Sequence, residues 1–367
     1  MLLLTNRDIH EVLNMDDCLD EIEAMSHEIA EGNSVALGRT DVYTPSDGGP
    51  APFHRWAVMT GTSRRRGYLC ARTMSDMVSW PIVDGKRREE KFAIEPGTYC
   101  GLLFLYSTHN GAPLAIMHDG AIQHYRVGAG AGIATKLLSR EDSETIGMLG
   151  AGGMARSYLE AFVRIRRVRQ VRVYSPTPAR REEYAAEMHA RHGIEVVAMD
   201  DPREAVRGAD IVALCVSATE PVFFADWLEP GMHVVDVTRP STPADFVRSV
   251  DVAFWHGNPT PLIENLPPTA TYARGGYLSW VAGSAEETAI IPRVPPNPET
   301  FALPTLADLV SGRQPGRTAR DETTFFHNIG AIGEGFAALG GGIYERAVAA
   351  GIGTEIPTGW FLEDIRD

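Results

Sequence analysis

The chain has 367 residues, a formal net charge of −14 at pH 7 and 44% hydrophobic residues, which favours two domains over one small core. The acidic charge argues against nucleic acid as a partner, because phosphate backbones attract cationic surfaces. Four cysteines without CxxC spacing predict neither a zinc site nor disulfides, and we expect a cytoplasmic protein with no membrane partner, since no signal peptide or long apolar run occurs.

The first third of the chain predicts a helix followed by a largely antiparallel sheet. Apolar residues recur at helical spacing over residues 14–32. Strand-like stretches then occur at residues 35–44, 56–60, 68–74, 99–107 and 112–117. Asp84-Gly85 predicts a tight turn. Residues 123–139 predict a helix rich in glycine and alanine that leads into the middle of the chain.

A short apolar run at residues 146–149 is typical of a buried parallel strand, and a G-x-G-x-x-A turn and a predicted helix follow it. In a dinucleotide-binding turn, Gly150 allows the tight bend, Gly152 lets the backbone approach a pyrophosphate, and Ala155 lets the helix pack on the strand. The phosphates would bind free N–H groups at the helix N-terminus. The predicted cofactor-binding residues of the turn are Gly150, Gly152, Gly153, Met154 and Ala155. The alternative is a glycine turn without a ligand.

The middle third alternates strands and helices joined by short loops. Strands are predicted at residues 146–150, 171–174, 195–198, 211–216 and 233–237. This alternation predicts a parallel, doubly wound sheet of the Rossmann type. His189 and His192 lie three residues apart on a predicted helix but lack a further ligand motif, so no metal site is expected.

The end of the second strand of this unit predicts the choice of cofactor. NAD-specific domains have an acidic residue there, which holds the ribose 2′-hydroxyl. Here Ser175, Thr177 and Arg180 follow the strand, and the first carboxylate is Glu182. Hydroxyl and guanidinium donors suit a 2′-phosphate, so we expect NADP (NADPH) to be preferred, with NAD as the second candidate. In the alternative, Ser175 caps the next helix and either cofactor binds.

Residues 262–304 are rich in proline and aromatic residues and predict an irregular segment. A loop of this length is either a functional lid or disordered, and the aromatic residues favour an ordered lid or an arm that reaches a partner subunit. Helices are predicted again at residues 305–310 and 325–350.

Five blocks carry a family resemblance: GLLFLYSTHNGAPLAIMHDGAIQHYRVGAGAGIATKLLSR, TIGMLGAGGMARSYLEAF, WLEPGMHVV, DLVSGRQPGRTARDETTFF and YERAVAAGIGTEI. Together they resemble the ornithine cyclodeaminase/mu-crystallin family, and only an insertion near residues 270–303 lacks a counterpart. The resemblance implies an α/β fold in which a doubly wound Rossmann domain, residues 127–321, is inserted in an α+β substrate-binding and dimerisation domain built from residues 1–126 and 322–367. It also implies a homodimer and nicotinamide redox chemistry at the α-carbon of an amino or imino acid.

Three arginines match substrate-binding positions of this family. Arg39 and Arg126 would clamp the substrate α-carboxylate, because a planar guanidinium binds a carboxylate bidentately. A salt bridge across the domain hinge is the alternative for Arg126, and Arg39 lies in a less distinctive stretch. Arg72 stands where the family usually has lysine. It can bind substrate and is the predicted catalytic residue, but it cannot act as a general base.

A second departure follows the strand at residues 233–237, where cyclodeaminases have an aspartate and this chain reads VTRPSTPADF. The proton relays for oxidising and cyclising an amine are therefore missing, whereas reducing an iminium needs mainly positioning and exclusion of water. We expect an NAD(P)H-dependent imino-acid reductase, with a cyclodeaminase or a non-catalytic crystallin-like protein as alternatives. The proton donor stays open. Four side chains lie near matched segments and are expected to be structural: His54, Asp76, His118 and His124.

Overall fold

The computed structural model describes residues 1–83, 86–218, 220–237, 240–257, 263–273, 276–330 and 333–365. Two large sheets organise these residues, one of ten strands and one of seven. None of the helices within these ranges is both long enough and apolar enough to cross a membrane. The turn predicted at Asp84-Gly85 lies outside the described residues.

The first third of the chain forms most of the ten-stranded sheet and two helices that pack on it. Its elements are β1 (Leu2–Leu4), α1 (Asn6–Val12), α2 (Met15–Ala30), β2 (Ala36–Pro45), β3 (Phe53–Ser63), β4 (Tyr68–Ser79), β5 (Ile82–Val83), β6 (Lys86–Arg87), β7 (Glu90–Phe92), β8 (Cys100–Ser107) and β9 (Pro113–His118). Every second residue of β3 and β4 is buried. This alternation is typical of a sheet with only one face on the core, here called the inner face.

The middle of the chain forms the parallel sheet. Its elements are α3 (Gly120–Leu138), β10 (Thr145–Leu149), α4 (Gly153–Ile165), β11 (Gln170–Tyr174), α5 (Pro178–His192), β12 (Glu195–Met199), α6 (Pro202–Val206), β13 (Ile211–Leu214), β14 (His233–Asp236) and β15 (Val252–Trp255). The strand order β12-β11-β10-β13-β14 is that of a doubly wound sheet, which confirms the predicted Rossmann-type fold class. The central strands are buried on both faces, as parallel strands between helices must be.

The last part of the chain returns to both sheets. Its elements are β16 (Ala270–Ala273), β17 (Tyr277–Val281), α7 (Ala285–Ile290), α8 (Pro298–Phe301), α9 (Leu306–Val310), β18 (Thr324–His327), α10 (Gly333–Ala350) and β19 (Thr354–Glu355). The helix predicted at residues 325–350 is wrong at its start, because β18 is a buried strand inserted between β14 and β15. Its aromatic residues favour a strand that is covered on both faces.

The proline-rich and aromatic segment is less irregular than the sequence suggests. β16 and β17 pair with each other, and β17 pairs in parallel with β2 at the edge of the ten-stranded sheet. Main-chain ladders therefore order part of this segment despite its prolines. Sheet membership differs from the predicted domain boundaries at two places: β16–β17 join the first sheet, and β18 joins the parallel sheet.

The helix α3 connects the two sheets, since it follows β9 and precedes β10. Thirteen of its 19 residues are buried. Its small residues let α4 approach closely, and a Cβ at Gly128 would lie 2.6 Å from the carbonyl oxygen of Ser157. This close packing holds the side chains of α3 in a fixed position between the two sheets.

Two buried histidines of the second sheet predict a loss of stability in acid. Burial lowers the pKa of His233 and of His256 to about 3, against about 6.5 in an unfolded chain. Between these values the unfolded chain binds protons that the folded chain does not. The free energy of unfolding should therefore fall as the pH drops below about 6.5, by up to about 1.4 kcal/mol per pH unit for each histidine.

Urea unfolding midpoints at about pH 7.5 and about pH 5.5 measure this loss. In the variant His233→Asn the dependence on pH should weaken, because one of the two histidines is gone. The exposed His189→Asn serves as the control and should leave the dependence unchanged. Equal midpoints at the two pH values would contradict the assignment of neutral, buried imidazoles.

Candidate functional site

The G-x-G-x-x-A turn lies at the carboxyl end of β10, at the centre of the parallel sheet. Gly150 has a φ of +110°, and a Cβ there would lie 2.1 Å from the carbonyl oxygen of Cys215. Gly152 is the N-cap of α4, so no side chain caps the first N–H groups of this helix. A Cβ added to Gly152 would meet nothing within 4 Å. Gly150 therefore makes the turn, and Gly152 leaves open space before the free N–H groups of α4, as a pyrophosphate site requires.

The residues after β11 are placed as a nucleotide ribose site would need them. Ser175 is buried, whereas Thr177 and Arg180 are exposed at the start of α5. Thr177 is the N-cap of α5 but makes no side-chain cap hydrogen bond. The neighbouring Arg181 is occupied, since its Nη1 donates to the carbonyl oxygen of Ser175 at 3.0 Å and its Nη2 pairs with Asp200. Thr177 and Arg180 are thus the side chains left to meet a ligand at this end.

Arg72 lies on the inner face of the first sheet, 2% exposed, with its donors in use. It pairs with Asp119 and donates to Gln123 and, at 2.9 Å, to the hydroxyl oxygen of Tyr99. These contacts join β4 to the first turn of α3. Protein groups therefore already hold the guanidinium of Arg72, the residue that the sequence predicts as catalytic.

The guanidinium of Arg39 is also held by protein groups. Its Nε and Nη2 donate to the two carboxylate oxygens of Asp41 at 2.6 and 3.1 Å. Its guanidinium carbon lies 4.5 Å from the ring centroid of Tyr277, which β17 brings to the edge of β2. The predicted carboxylate clamp at Arg39 would share its guanidinium with Asp41.

Arg126 differs from both, because it donates no hydrogen bond to any residue that the structure describes, and its Nε is buried without a partner. It is 7% exposed, and the guanidinium carbons of Arg126 and Arg72 lie 4.9 and 4.7 Å from the centroid of the Phe336 ring. Burial, and then repulsion by Arg72, lowers the pKa of Arg126 to about 10, so it remains a cation at neutral pH. A buried cation without a counter-charge is costly by itself, and an anionic ligand would compensate it.

The dinucleotide turn packs against α3, the helix that carries Arg126. His124 lies two residues before Arg126 on α3, and a Cβ on Gly153 would be 3.0 Å from its Nε2. His124 is exposed, and partial desolvation of its ring lowers its pKa, which favours the neutral form. The N-terminus of α4 therefore packs against the side of α3 that carries His124, and Arg126, two residues further on, projects from the opposite side of the same helix.

Sequence reasoning missed a hydrogen-bonded network at the carboxyl ends of β14, β15 and β18. Asp236 Oδ1 lies 2.6 Å from His327 Nδ1, and Asn328 contacts both Tyr158 and His256. The available signal was a polar residue at the end of each strand or directly after it, at the edge where doubly wound sheets bind ligands. The signal was lost because β18 was predicted as helix.

The other candidates from the sequence have structural partners. His54 contacts Ser75 Oγ at 2.9 Å, Asp76 pairs with Arg55 at 2.6 Å, and His118 Nδ1 accepts from the N–H of Gly120 at 3.1 Å. Within the described ranges, no group of three or more metal-ligating side chains comes together.

The ornithine cyclodeaminase/mu-crystallin family model matches residues 1–241. The chain belongs to this family. The Δ1-pyrroline-2-carboxylate reductase of Bacillus cereus is 29% identical over 265 residues, 71% of this chain and 74% of that protein. Ketimine reductase mu-crystallin of Mus musculus is 34% identical over 140 residues, 38% of this chain and 44% of that protein.

A solved structure shows the same fold. The structure of Thermococcus litoralis Δ1-pyrroline-2-carboxylate reductase in complex with NADH and L-proline matches with a TM-score of 0.74. The match covers 97% of this chain and 100% of that chain at 24% identity. The family assignment predicted from the sequence blocks is thereby confirmed, together with the fold.

Proposed function

We propose that this chain is an NAD(P)H-dependent reductase that transfers a hydride to the α-carbon of an imino acid. The observation that carries the proposal is Arg126, a buried cation without a hydrogen-bond partner among the described residues, on the helix that packs against a dinucleotide-binding turn. Two relatives in its family carry the names of imine reductases. The test is NAD(P)H oxidation with cyclic imine carboxylates and with 2-oxo acids plus ammonia or methylamine.

Different residues would bind the cofactor and the substrate. Gly152 and the first N–H groups of α4 would hold the pyrophosphate of the cofactor, which supplies the hydride when bound. Arg126 would hold the substrate carboxylate as a bidentate, charge-assisted pair. Phe336 is fully buried, and its ring packs against the guanidinium groups of Arg126 and Arg72, where it would exclude water. Together these contacts would fix the α-carbon for attack.

Reduction fits the site better than cyclodeamination. Arg72 replaces the usual lysine and is held by Asp119, so it cannot take up a proton from an amine. The turn after β14, where cyclodeaminases have an aspartate, begins Val237-Thr238-Arg239-Pro240 and has no acidic residue there; Thr238 and Arg239 lie outside the described residues. A protonated iminium needs no base before it accepts a hydride. A cyclodeaminase would release ammonia from ornithine without net consumption of the cofactor, which the same assay detects.

We further propose that NADPH is preferred to NADH. Thr177 and Arg180 are free to contact a 2′-phosphate, and no carboxylate stands between Tyr174 and Glu182 to repel it. The expected preference is at least about tenfold in Kd, roughly 1.4 kcal/mol. Fluorescence titration of both cofactors measures it, and Thr177→Asp should reverse the order by repelling the phosphate. Binding of NADH as tight as NADPH would contradict the proposal.

We also propose a cytoplasmic homodimer. The face of the first sheet opposite the inner face carries a row of apolar side chains, in which Val42 is paired with Trp56 on one side and with Trp280 on the other. Both tryptophans are about two-fifths exposed, at 39% and 40%. Exposed apolar rows of this kind favour a protein partner, and a second copy would cover both. Four free cysteines suit a reducing compartment.

A further inference from the structure

His256 follows β15 at the carboxyl edge of the parallel sheet and is 6% exposed. Its Nδ1 lies 2.7 Å from the side-chain oxygen of Asn328. The amide of Asn328 is oriented by its own nitrogen, which donates to the carbonyl oxygen of Val127 at 2.9 Å and to the hydroxyl of Tyr158 at 2.7 Å. The oxygen of Asn328 therefore accepts from His256, and the proton of the imidazole is on Nδ1.

The other ring nitrogen is left as an acceptor. Nε2 of His256 is buried and has no hydrogen-bond partner in the part of the chain that the structure describes. Burial, and then the charge of Arg126, lowers the pKa of this imidazole to about 3, so the ring is neutral. A buried acceptor without a donor is costly, and such groups in native proteins usually face a ligand, an ion or water.

Helix geometry places this acceptor next to Arg126. Arg126 and Gly130 are four residues apart on α3 and lie on the same face of the helix. The imidazole occupies the space that a side chain at position 130 would fill, since a Cβ there would lie 2.6 Å from Cε1 of His256. The ring of His256 and the guanidinium of Arg126 are thus adjacent along one face of α3.

We propose that His256 Nε2 accepts a hydrogen bond from the N–H of the substrate iminium while Arg126 holds the carboxylate. The inference rests on the proposed function and names a further substrate contact for it. The iminium nitrogen and the carboxylate carbon are both bonded to the α-carbon, so the two contacts fix the plane of the C=N bond. During reduction the hydride adds to carbon, the C=N π pair becomes the nitrogen lone pair, and the N–H proton stays on nitrogen. The amine then takes its last proton from water, so His256 moves no proton.

Two substitutions at His256 distinguish the role of Nδ1 from that of Nε2. Asparagine at position 256 can place an amide near Nδ1 and keep the bond to Asn328, but it removes the acceptor at Nε2. Glutamine can place its amide oxygen near Nε2. For His256→Asn we expect kcat with a cyclic imine carboxylate to fall about 10- to 100-fold, the usual effect of one hydrogen bond to a charged group. For His256→Gln we expect at least about a third of the wild-type kcat, and both variants should bind NADPH with unchanged Kd.

The control is His233→Asn, the same substitution at a buried histidine on β14 that lies outside the site. It should lower the unfolding midpoint without lowering kcat. A His256→Asn variant with at least half of the wild-type kcat would overturn the inference, and so would equal losses of kcat in the Asn and Gln variants. If the wild-type protein reduces no imine, the proposed function itself is wrong, and this outcome is distinct from both.

Discussion

Replacing Arg126 by leucine is expected to lower kcat/KM for an imino acid about a thousandfold, roughly 4 kcal/mol of transition-state binding. The reason is that a bidentate pair between a guanidinium and a carboxylate in a closed, buried site is charge-assisted and is lost as a whole. The Kd of NADPH should barely change, because the proposed cofactor site is the turn after β10, not Arg126. Steady-state kinetics and a cofactor titration measure the two effects separately.

For the stability of Arg126→Leu we expect an unusual result. Arg126 forms no ion pair with any described residue, and burial already lowers its pKa to about 10. Removing a buried, uncompensated charge should leave the unfolding midpoint unchanged or raise it. Arg126→Lys keeps the positive charge but loses the planar guanidinium that binds a carboxylate bidentately. Its kcat/KM should fall between those of the wild type and Arg126→Leu. A leucine variant within threefold of the wild-type kcat/KM would remove Arg126 from the site.

A pair of glycine substitutions in the turn is expected to separate folding from cofactor binding. Gly150→Ala should lower the free energy of unfolding by more than about 3 kcal/mol, because φ is +110° and the new Cβ would overlap the carbonyl oxygen of Cys215. Gly152→Ala should fold normally, since its Cβ meets nothing within 4 Å. It should nevertheless weaken NADPH binding at least about tenfold, because the methyl group occupies the space where the pyrophosphate approaches.

Urea unfolding and NADPH titration on both variants provide the comparison. Gly152→Ala is the matched control for Gly150→Ala, since both add one methyl group to the same turn. An unchanged Kd in Gly152→Ala would mean that the open space at Gly152 is not a phosphate site. A normal unfolding midpoint in Gly150→Ala would mean that the turn relaxes easily around the added side chain.

Local patterns in the sequence were enough for the Rossmann unit. The apolar run before Gly150, the helix after it and the regular alternation to β14 follow from short-range periodicity. The family resemblance, carried by sequence blocks, then indicated Arg126 as a substrate residue. The structure adds that Arg126 is buried and makes no hydrogen bond to any residue in the described ranges, which no local pattern can predict.

The features of the fold and of the candidate site that the sequence did not predict depend on contacts between residues far apart in the chain. Arg39 and Arg72 find Asp41 and Asp119 only because β2, β4 and the start of α3 meet on one face. β18 reads as the start of a helix by composition, yet it is a strand because β14 and β15 leave a gap that it fills. His256 meets Gly130 across more than a hundred residues. In each case tertiary packing decides what local propensity leaves open.

The central claim is that this chain reduces the C=N bond of an imino acid with a nicotinamide cofactor. The most direct measurement follows NADPH oxidation with purified protein and Δ1-pyrroline-2-carboxylate, other cyclic imine carboxylates, and 2-oxo acids with ammonia or methylamine, and identifies the amine product. The account predicts stoichiometric formation of an amino acid and NADP with at least one of these substrates, and loss of this turnover in Arg126→Leu. Absence of turnover with every imine, or release of ammonia from ornithine without net NADPH consumption, would contradict it.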